Sequence, residues 1–150
     1  MLKIGIDPGA NTGFCVFNTK TRQIQTIGTT DFWSFIDFIQ GLVNYCKENN
    51  HNPVDELLFV IENPNLNKPV FTKRYDAKSV NSLLKVAQNV GENKRDAKLL
   101  ISYIKKLGFK VREIKPVTSK WDEPLFRRIT KYQGSTSEHA RDAAKLVYGV

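Results

Sequence analysis

The sequence has no apolar run of the roughly 18 residues that a membrane-spanning helix needs, and it has few cysteines. The only two, Cys15 and Cys46, have neither metal-site nor disulfide-framework spacing. We interpret them as reduced thiols of the core. The first residues lack the basic and apolar segments of a signal peptide. These absences predict an intracellular protein without membrane association.

No repeat, linker or low-complexity segment divides the chain. Its 150 residues, 41% of them hydrophobic, fit one globular domain over residues 1–150. Acidic residues are scarce between residues 63 and 135, where 17 Lys and Arg against 6 Asp and Glu give +11. The remaining 6 Lys and Arg against 9 Asp and Glu give −3, for a total of +8. This distribution predicts a polyanionic partner, nucleic acid first, with a merely solubilising surface as the alternative.

Short apolar runs and helical periodicity predict the order β-β-β-α-β-α-β-(loop)-α, in which the loop over residues 117–135 contains a short helix. Strands are predicted at residues 1–6, 13–17, 23–29, 56–62 and 109–114. Helices are predicted at residues 31–47, 79–107, 124–132 and 137–147, with a bend or break at Gly91 and Asn93 and an end at Gly108. The order indicates an α/β fold. Its mixed five-stranded sheet has three antiparallel hairpin strands, two parallel strands and helices on both faces.

Two predicted strands end in a carboxylate. Asp7 closes the first strand and is followed by Pro8-Gly9, a tight turn in which glycine allows backbone that other residues rarely adopt. Glu62 closes the fourth strand. Acidic groups at strand ends suit a divalent cation, although Asp7 could instead cap its own turn.

The last predicted helix adds further candidates. Glu138 and Asp142, or His139 and Asp142, share a helix face. Ser135-x-x-Glu138 fits a capping box, so we assign Glu138 to the helix start and His139 to the site, with a plain surface histidine as the alternative. The alanines of this helix predict close packing on a sheet. Carboxylates with one imidazole favour Mg²⁺ or Mn²⁺, and two such ions can serve phosphodiester hydrolysis.

The segments Ile4-Gly5-Ile6-Asp7-Pro8-Gly9, Val60-Ile61-Glu62 and His139 to Ala144 resemble the three acidic motifs of RuvC-like Holliday junction resolvases, in the ribonuclease H-like superfamily. The resemblance implies a structure-selective endodeoxyribonuclease of DNA recombination and repair. It also implies a ribonuclease H-like sheet, a homodimer acting on four-way junctions, and two Mg²⁺ ions per site, replaceable by Mn²⁺. The metal ligands that it implies are Asp7, Glu62, His139 and Asp142.

Further residues are expected to meet DNA. The resemblance places Lys120 near the scissile phosphate and brings the helix carrying Gly91 toward DNA and the dimer partner. The basic span adds Lys73, Arg74 and Lys94 as phosphate contacts. The short chain and divergent loops look more like a phage-type resolvase than a cellular one. Either would act in the cytoplasm, of a bacterium or of an infected host.

Three alternatives compete with this hypothesis. Asp7-x-Gly9 also resembles the phosphate loop of actin-like ATPases, which need two duplicated domains. Another ribonuclease H-like nuclease, acting on RNA–DNA hybrids or other branched DNA, would use the same site. A non-catalytic nucleic-acid-binding module on this fold is the third.

Overall fold

The computed structural model describes residues 1–67 and 80–148, and five strands of these residues form one sheet in the order β3-β2-β1-β4-β5. The strands are β1 (Leu2–Asp7), β2 (Thr12–Asn18), β3 (Gln23–Thr30), β4 (Leu57–Glu62) and β5 (Val111–Ile114). Strand β2 is antiparallel to β1 and β3, whereas β4 is parallel to β1 and β5. The predicted mixed α/β sheet is therefore confirmed.

Helices cover both faces of the sheet, as predicted. They are α1 (Phe32–Glu48), α2 (Pro53–Glu56), α3 (Val80–Lys106), α4 (Glu123–Thr130) and α5 (Glu138–Val147), with a 3₁₀ turn at Pro64–Leu66. Helices α1 and α3 pack on one face, and α4 and α5 on the other. The short α2 was not predicted; Pro53 occupies its first turn, where the missing N–H of proline costs nothing. None of the described helices is long and apolar enough to cross a membrane.

The two faces of β1 receive alternate side chains. Ile4 and Ile6 are fully buried against α1 and α3. Gly5 and Asp7 therefore face α5. Both cysteines are buried free thiols, Cys15 on the α5 face and Cys46 on the α1 face, as predicted.

Helix α3 is continuous, so the predicted bend or break at Gly91 and Asn93 is wrong. A Cβ at Gly91 would meet nothing within 4 Å, since this residue faces solvent. A solvent-facing glycine keeps its backbone hydrogen bonds and costs the helix only about 1 kcal/mol. Beyond the helix, Gly108 adopts a φ of +87° and donates its N–H to the Lys105 carbonyl at 3.0 Å, which confirms the predicted glycine end.

Helix α5 lies unusually close to β1 and β2. A Cβ built on Gly5 would stand 2.1 Å from the Ala143 carbonyl oxygen, and one on Gly13 would stand 2.1 Å from that of His139. The helix brings Ala140, Ala143 and Ala144 to this contact, and all three are fully buried. Small residues on both partners thus allow backbone to rest on backbone. The predicted close packing through alanines is confirmed.

This contact predicts opposite effects for two glycine substitutions. Gly5→Ala should destabilise the fold by roughly 1–3 kcal/mol, because the new methyl group meets a backbone carbonyl that cannot rotate away. Gly91→Ala, the matched control in open space, should stabilise it by roughly 0.5–1 kcal/mol. Urea denaturation followed by circular dichroism measures both values. Equal stability of the two variants would contradict the close-contact interpretation.

Candidate active site

Asp7 projects from the end of β1 toward α5. Its Oδ2 lies 2.8 Å from Nδ1 of His139, and its side chain is 13% exposed. The turn that follows is held by the Thr12 hydroxyl, which donates to the Gly9 carbonyl at 3.2 Å. No hydrogen bond from the Asp7 side chain to this turn occurs among the described residues. The carboxylate therefore contacts His139 of α5 instead of capping the turn.

Gly9 does not adopt the glycine-specific backbone conformation that was predicted for its turn. Its φ is not positive; Gly108 is the glycine with positive φ in the described part of the chain. A Cβ on Gly9 would instead come within 3.3 Å of the Asn93 Oδ1 on α3. The small residue therefore lets the turn approach α3.

Glu62 ends β4, the neighbour of β1, on the same α5 face. Burial raises its pKa to about 7, with further contributions from the charges of Asp7 and Asp142. Burial also raises the pKa of Asp7, although the hydrogen bond and charge of His139 lower it. Three carboxylates, two from strand ends and one from α5, thus share a poorly solvated space.

Lys120 supplies positive charge at the edge of this space. Its Nζ lies 3.0 Å from the Asp142 Oδ2 and also contacts the Glu138 Oε1. The hydrogen bonds to Glu138 and then to Asp142 raise the pKa of Lys120, so its ammonium stays charged. Lys120 therefore bridges the exposed carboxylate of Glu138 and the partly buried carboxylate of Asp142.

Two basic side chains of α5 hold the segment that carries Lys120, and neither was predicted from the sequence. Lys145 Nζ donates to the Ser119 hydroxyl at 2.7 Å and to the Ser119 carbonyl. Arg141 Nε donates to the Trp121 carbonyl at 3.1 Å. Arg141 and Lys145 are four residues apart in the sequence, a spacing that places two side chains on the same face of a helix and could have indicated that they contact the same segment.

The predicted capping box at Ser135 and Glu138 is wrong. Ser137 is the N-cap, and its hydroxyl accepts from the Ala140 N–H at 3.1 Å. Glu138 is then the first helical residue, too early to return to the cap, and it bonds to Lys120 instead. Because three hydroxyl residues precede the helix, the pattern alone could not select the cap. His139, not Glu138, is the residue that contacts Asp7.

The other predicted DNA contacts lie along or beyond α3. Lys73 and Arg74 lie outside the described residues. Gly91 is exposed on α3, and the Lys94 carbonyl accepts from Asn65 Nδ2 at 3.0 Å, beside the 3₁₀ turn that follows β4. The middle of α3 therefore passes close to the strand ends that carry the carboxylates.

The donor set fits a hard divalent cation by its chemistry. Three carboxylates and an imidazole are gathered, and the pKa of Glu62 is raised first by burial and then by the charges of Asp7 and Asp142. As placed, no three His, Cys, Asp or Glu side chains in residues 1–67 and 80–148 enclose an ion position. Oxygens of Asp7 and Asp142 are already bonded to His139 and Lys120, so an ion must compete with those groups.

No protein-family model matches the chain, and no curated protein matches it by sequence. Among solved structures it is similar to T. thermophilus RuvC in complex with a Holliday junction substrate, with a TM-score of 0.52 and 13% identity. The similarity covers 97% of this chain and 89% of that one. At this identity the similarity shows the fold, which is the ribonuclease H-like fold of RuvC.

The raised pKa of Glu62 predicts a stability that depends on pH. A carboxyl group whose pKa is about 7 when folded and near 4.5 when unfolded binds its proton more tightly in the folded chain. Its contribution to stability therefore falls as the pH rises from about 4.5 to 7. Without metal, Glu62→Gln should melt above wild type at pH 8 and close to it at pH 4. Thermal unfolding in EDTA measures this, with the exposed Glu48→Gln as control; an equal gain at both pH values would contradict it.

Proposed function

We propose that the protein is a metal-dependent, structure-selective endodeoxyribonuclease that resolves four-way DNA junctions by hydrolysing phosphodiester bonds. The observation that carries this proposal is the meeting of Asp7, Glu62 and Asp142 with His139 at one end of a ribonuclease H-like sheet. The basic excess of residues 63–135 supports a polyanionic substrate, since phosphates account for most of the affinity of such complexes.

Asp7, Glu62, His139 and Asp142 would hold two Mg²⁺ ions, which Mn²⁺ could replace. Bound ions of this kind lower the pKa of water and neutralise charge on the phosphoryl oxygens. The protein's own groups position the substrate: the Lys120 ammonium stands 3.0 Å from Asp142, where it can contact a phosphate entering the site. Glu138 holds this ammonium from its exposed side.

Paired cuts at a four-way junction call for two sites, and we propose that the protein acts as a homodimer. The exposed N-terminal half of α3 supports this, because Leu84 and Val86 leave 62% and 40% of their surface uncovered. We also propose a phage-type enzyme acting in the cytoplasm. The second candidate function, cleavage of RNA–DNA hybrids or other branched DNA, uses the same carboxylates and is separated only by substrate.

Substrate competition tests the proposal. Wild type with Mg²⁺ or Mn²⁺ should cut a synthetic four-way junction in preference to a matched duplex or an RNA–DNA hybrid, and EDTA should stop the reaction. Preferential cutting of the hybrid would favour the second candidate. Binding without cutting in any metal would favour a non-catalytic module.

Removing one carboxylate should separate binding from cleavage. Asp7→Asn and Asp142→Asn should each lower the cutting rate at least about 100-fold, while junction affinity stays equal or rises, because repulsion toward phosphate decreases. Glu48→Gln, which changes an exposed carboxylate at the C-terminal end of α1, is the matched control and should cut normally. Mg²⁺ should also raise the melting temperature of wild type and not that of Asp142→Asn. Full cleavage by both variants would contradict the site assignment.

Neighbouring substitutions in α5 separate His139 from Glu138. His139→Asp should retain cutting, because a carboxylate still offers oxygen to Mg²⁺. His139→Ala should lose most of it. Glu138→Gln should keep the cluster intact and change the rate only through Lys120, so a modest decrease is expected. Cleavage rates of the three variants on one junction measure this. An active His139→Ala beside an inactive Glu138→Gln would show that Glu138, and not His139, is the metal ligand.

A further inference from the structure

A groove of about 540 Å³ opens between α3 and the β4–β5 edge of the sheet. Six of the seven residues that line it carry a polar or charged group, and most of these groups can donate hydrogen bonds; Ile101 is the apolar one. The polar lining consists of Asn63, Asn65, Lys98, Ser102, Lys105 and Glu113.

The groove begins one residue beyond Glu62. Asn63 follows that carboxylate directly, and its N–H donates to the Ile114 carbonyl at 2.7 Å, which fixes the end of β4 against β5. Glu113 alternates with Ile114 and shares the α3 face of the sheet with Val111. The groove and the carboxylate cluster thus lie on opposite faces and meet at the end of β4.

The groove carries uncompensated positive charge. Its one acid, Glu113, is bonded to Lys105 at 2.7 Å and to Asn63 at 2.7 Å. Lys98 is exposed and forms no ion pair with any residue of the described part of the chain. The exposed hydroxyl of Ser102 lies one helical turn further along.

Lysines continue this charge along the same side of α3. Lys94, Lys98 and Lys105 are separated by four and seven residues, which keeps them on one helix face over about 16 Å at 1.5 Å per residue. The series begins at Lys94, which Asn65 ties to the segment after β4. At 3.4 Å per nucleotide of one strand, this length corresponds to roughly four to five phosphates.

We propose that this groove binds the phosphodiester backbone of a DNA arm that leaves the active site across the end of β4. The proposal rests on the proposed function, because it takes its ligand from the substrate of that site. A small anion would need one lysine; the length of the series and its start beside Glu62 favour a continuous strand. The groove would therefore set how long an arm the enzyme engages.

Arm length provides the first test. In EDTA, junctions with arms of about 20 base pairs are compared with junctions whose arms are too short to reach the groove. Lys98→Gln should weaken binding of the long-armed junction about 5–10-fold and reduce the slope of log K against log salt by about 0.9. It should change binding of the short-armed junction less than about twofold. Lys106→Gln, the same charge loss on α3 outside the groove, is the matched control.

Crosslinking locates the arm. Ser102→Cys introduces an exposed thiol, while the native Cys15 and Cys46 are only 0% and 4% exposed and should not react. An aryl azide attached there should crosslink to nucleotides of one arm within about five positions of the cut. The same label on Lys106→Cys should crosslink far less.

The outcomes separate this inference from the proposed function. If wild type cuts junctions while Lys98→Gln matches Lys106→Gln and the Ser102→Cys label gives no arm crosslinks, the groove inference is overturned and the function stands. If the protein binds junctions and crosslinks through the groove but cuts nothing, the nuclease proposal fails and the groove stands. Absence of any DNA binding overturns both.

Discussion

The contact between α5 and the first hairpin determines the rest of the site. Gly5 and Gly13 leave room for the helix backbone, and the carbonyls of Ala143 and His139 occupy the space that side chains would need. Because the same helix carries His139 and Asp142, the distance of this contact sets how near these groups come to Asp7 and Glu62. A larger residue on either strand would therefore move the candidate ligands together with the core.

This close approach concentrates negative charge, and the fold compensates only part of it. Lys120 neutralises Asp142 from the edge, while burial, and after it the charges of Asp7 and Asp142, raises the pKa of Glu62 in the interior. Lys145 and Arg141 hold the Lys120 segment against α5. An arriving cation would satisfy the interior and free Lys120 for phosphate, so binding of the ion and of the substrate would favour each other.

The sequence predicted those features that depend on local patterns. Apolar runs indicated the strands and placed Asp7 and Glu62 at their ends, and alanine spacing indicated a helix close to the sheet. The use of Gly5 and Gly13 could not be predicted, because it depends on which helix covers which strands. The Glu138–Lys120 bond joins residues 18 positions apart, on either side of α4, which no periodicity reveals. The bend predicted at Gly91 was wrong because a glycine within a helical segment occurs both in bent helices and in straight ones, and the sequence does not distinguish the two.

The sheet also separates the two kinds of charge that the proposed function would bring to one substrate. Carboxylates gather on the α5 face, whereas Lys98 and the rest of the α3 series lie around the end of β4 on the other face. If the lysines stood among the carboxylates, ion pairs would satisfy both, as already occurs for Lys120 and Asp142. Keeping them apart leaves the lysines available to phosphate and the carboxylates available to a cation. The end of β4, where the faces meet within one residue, is then the point at which the proposed DNA arm would pass from one face to the other.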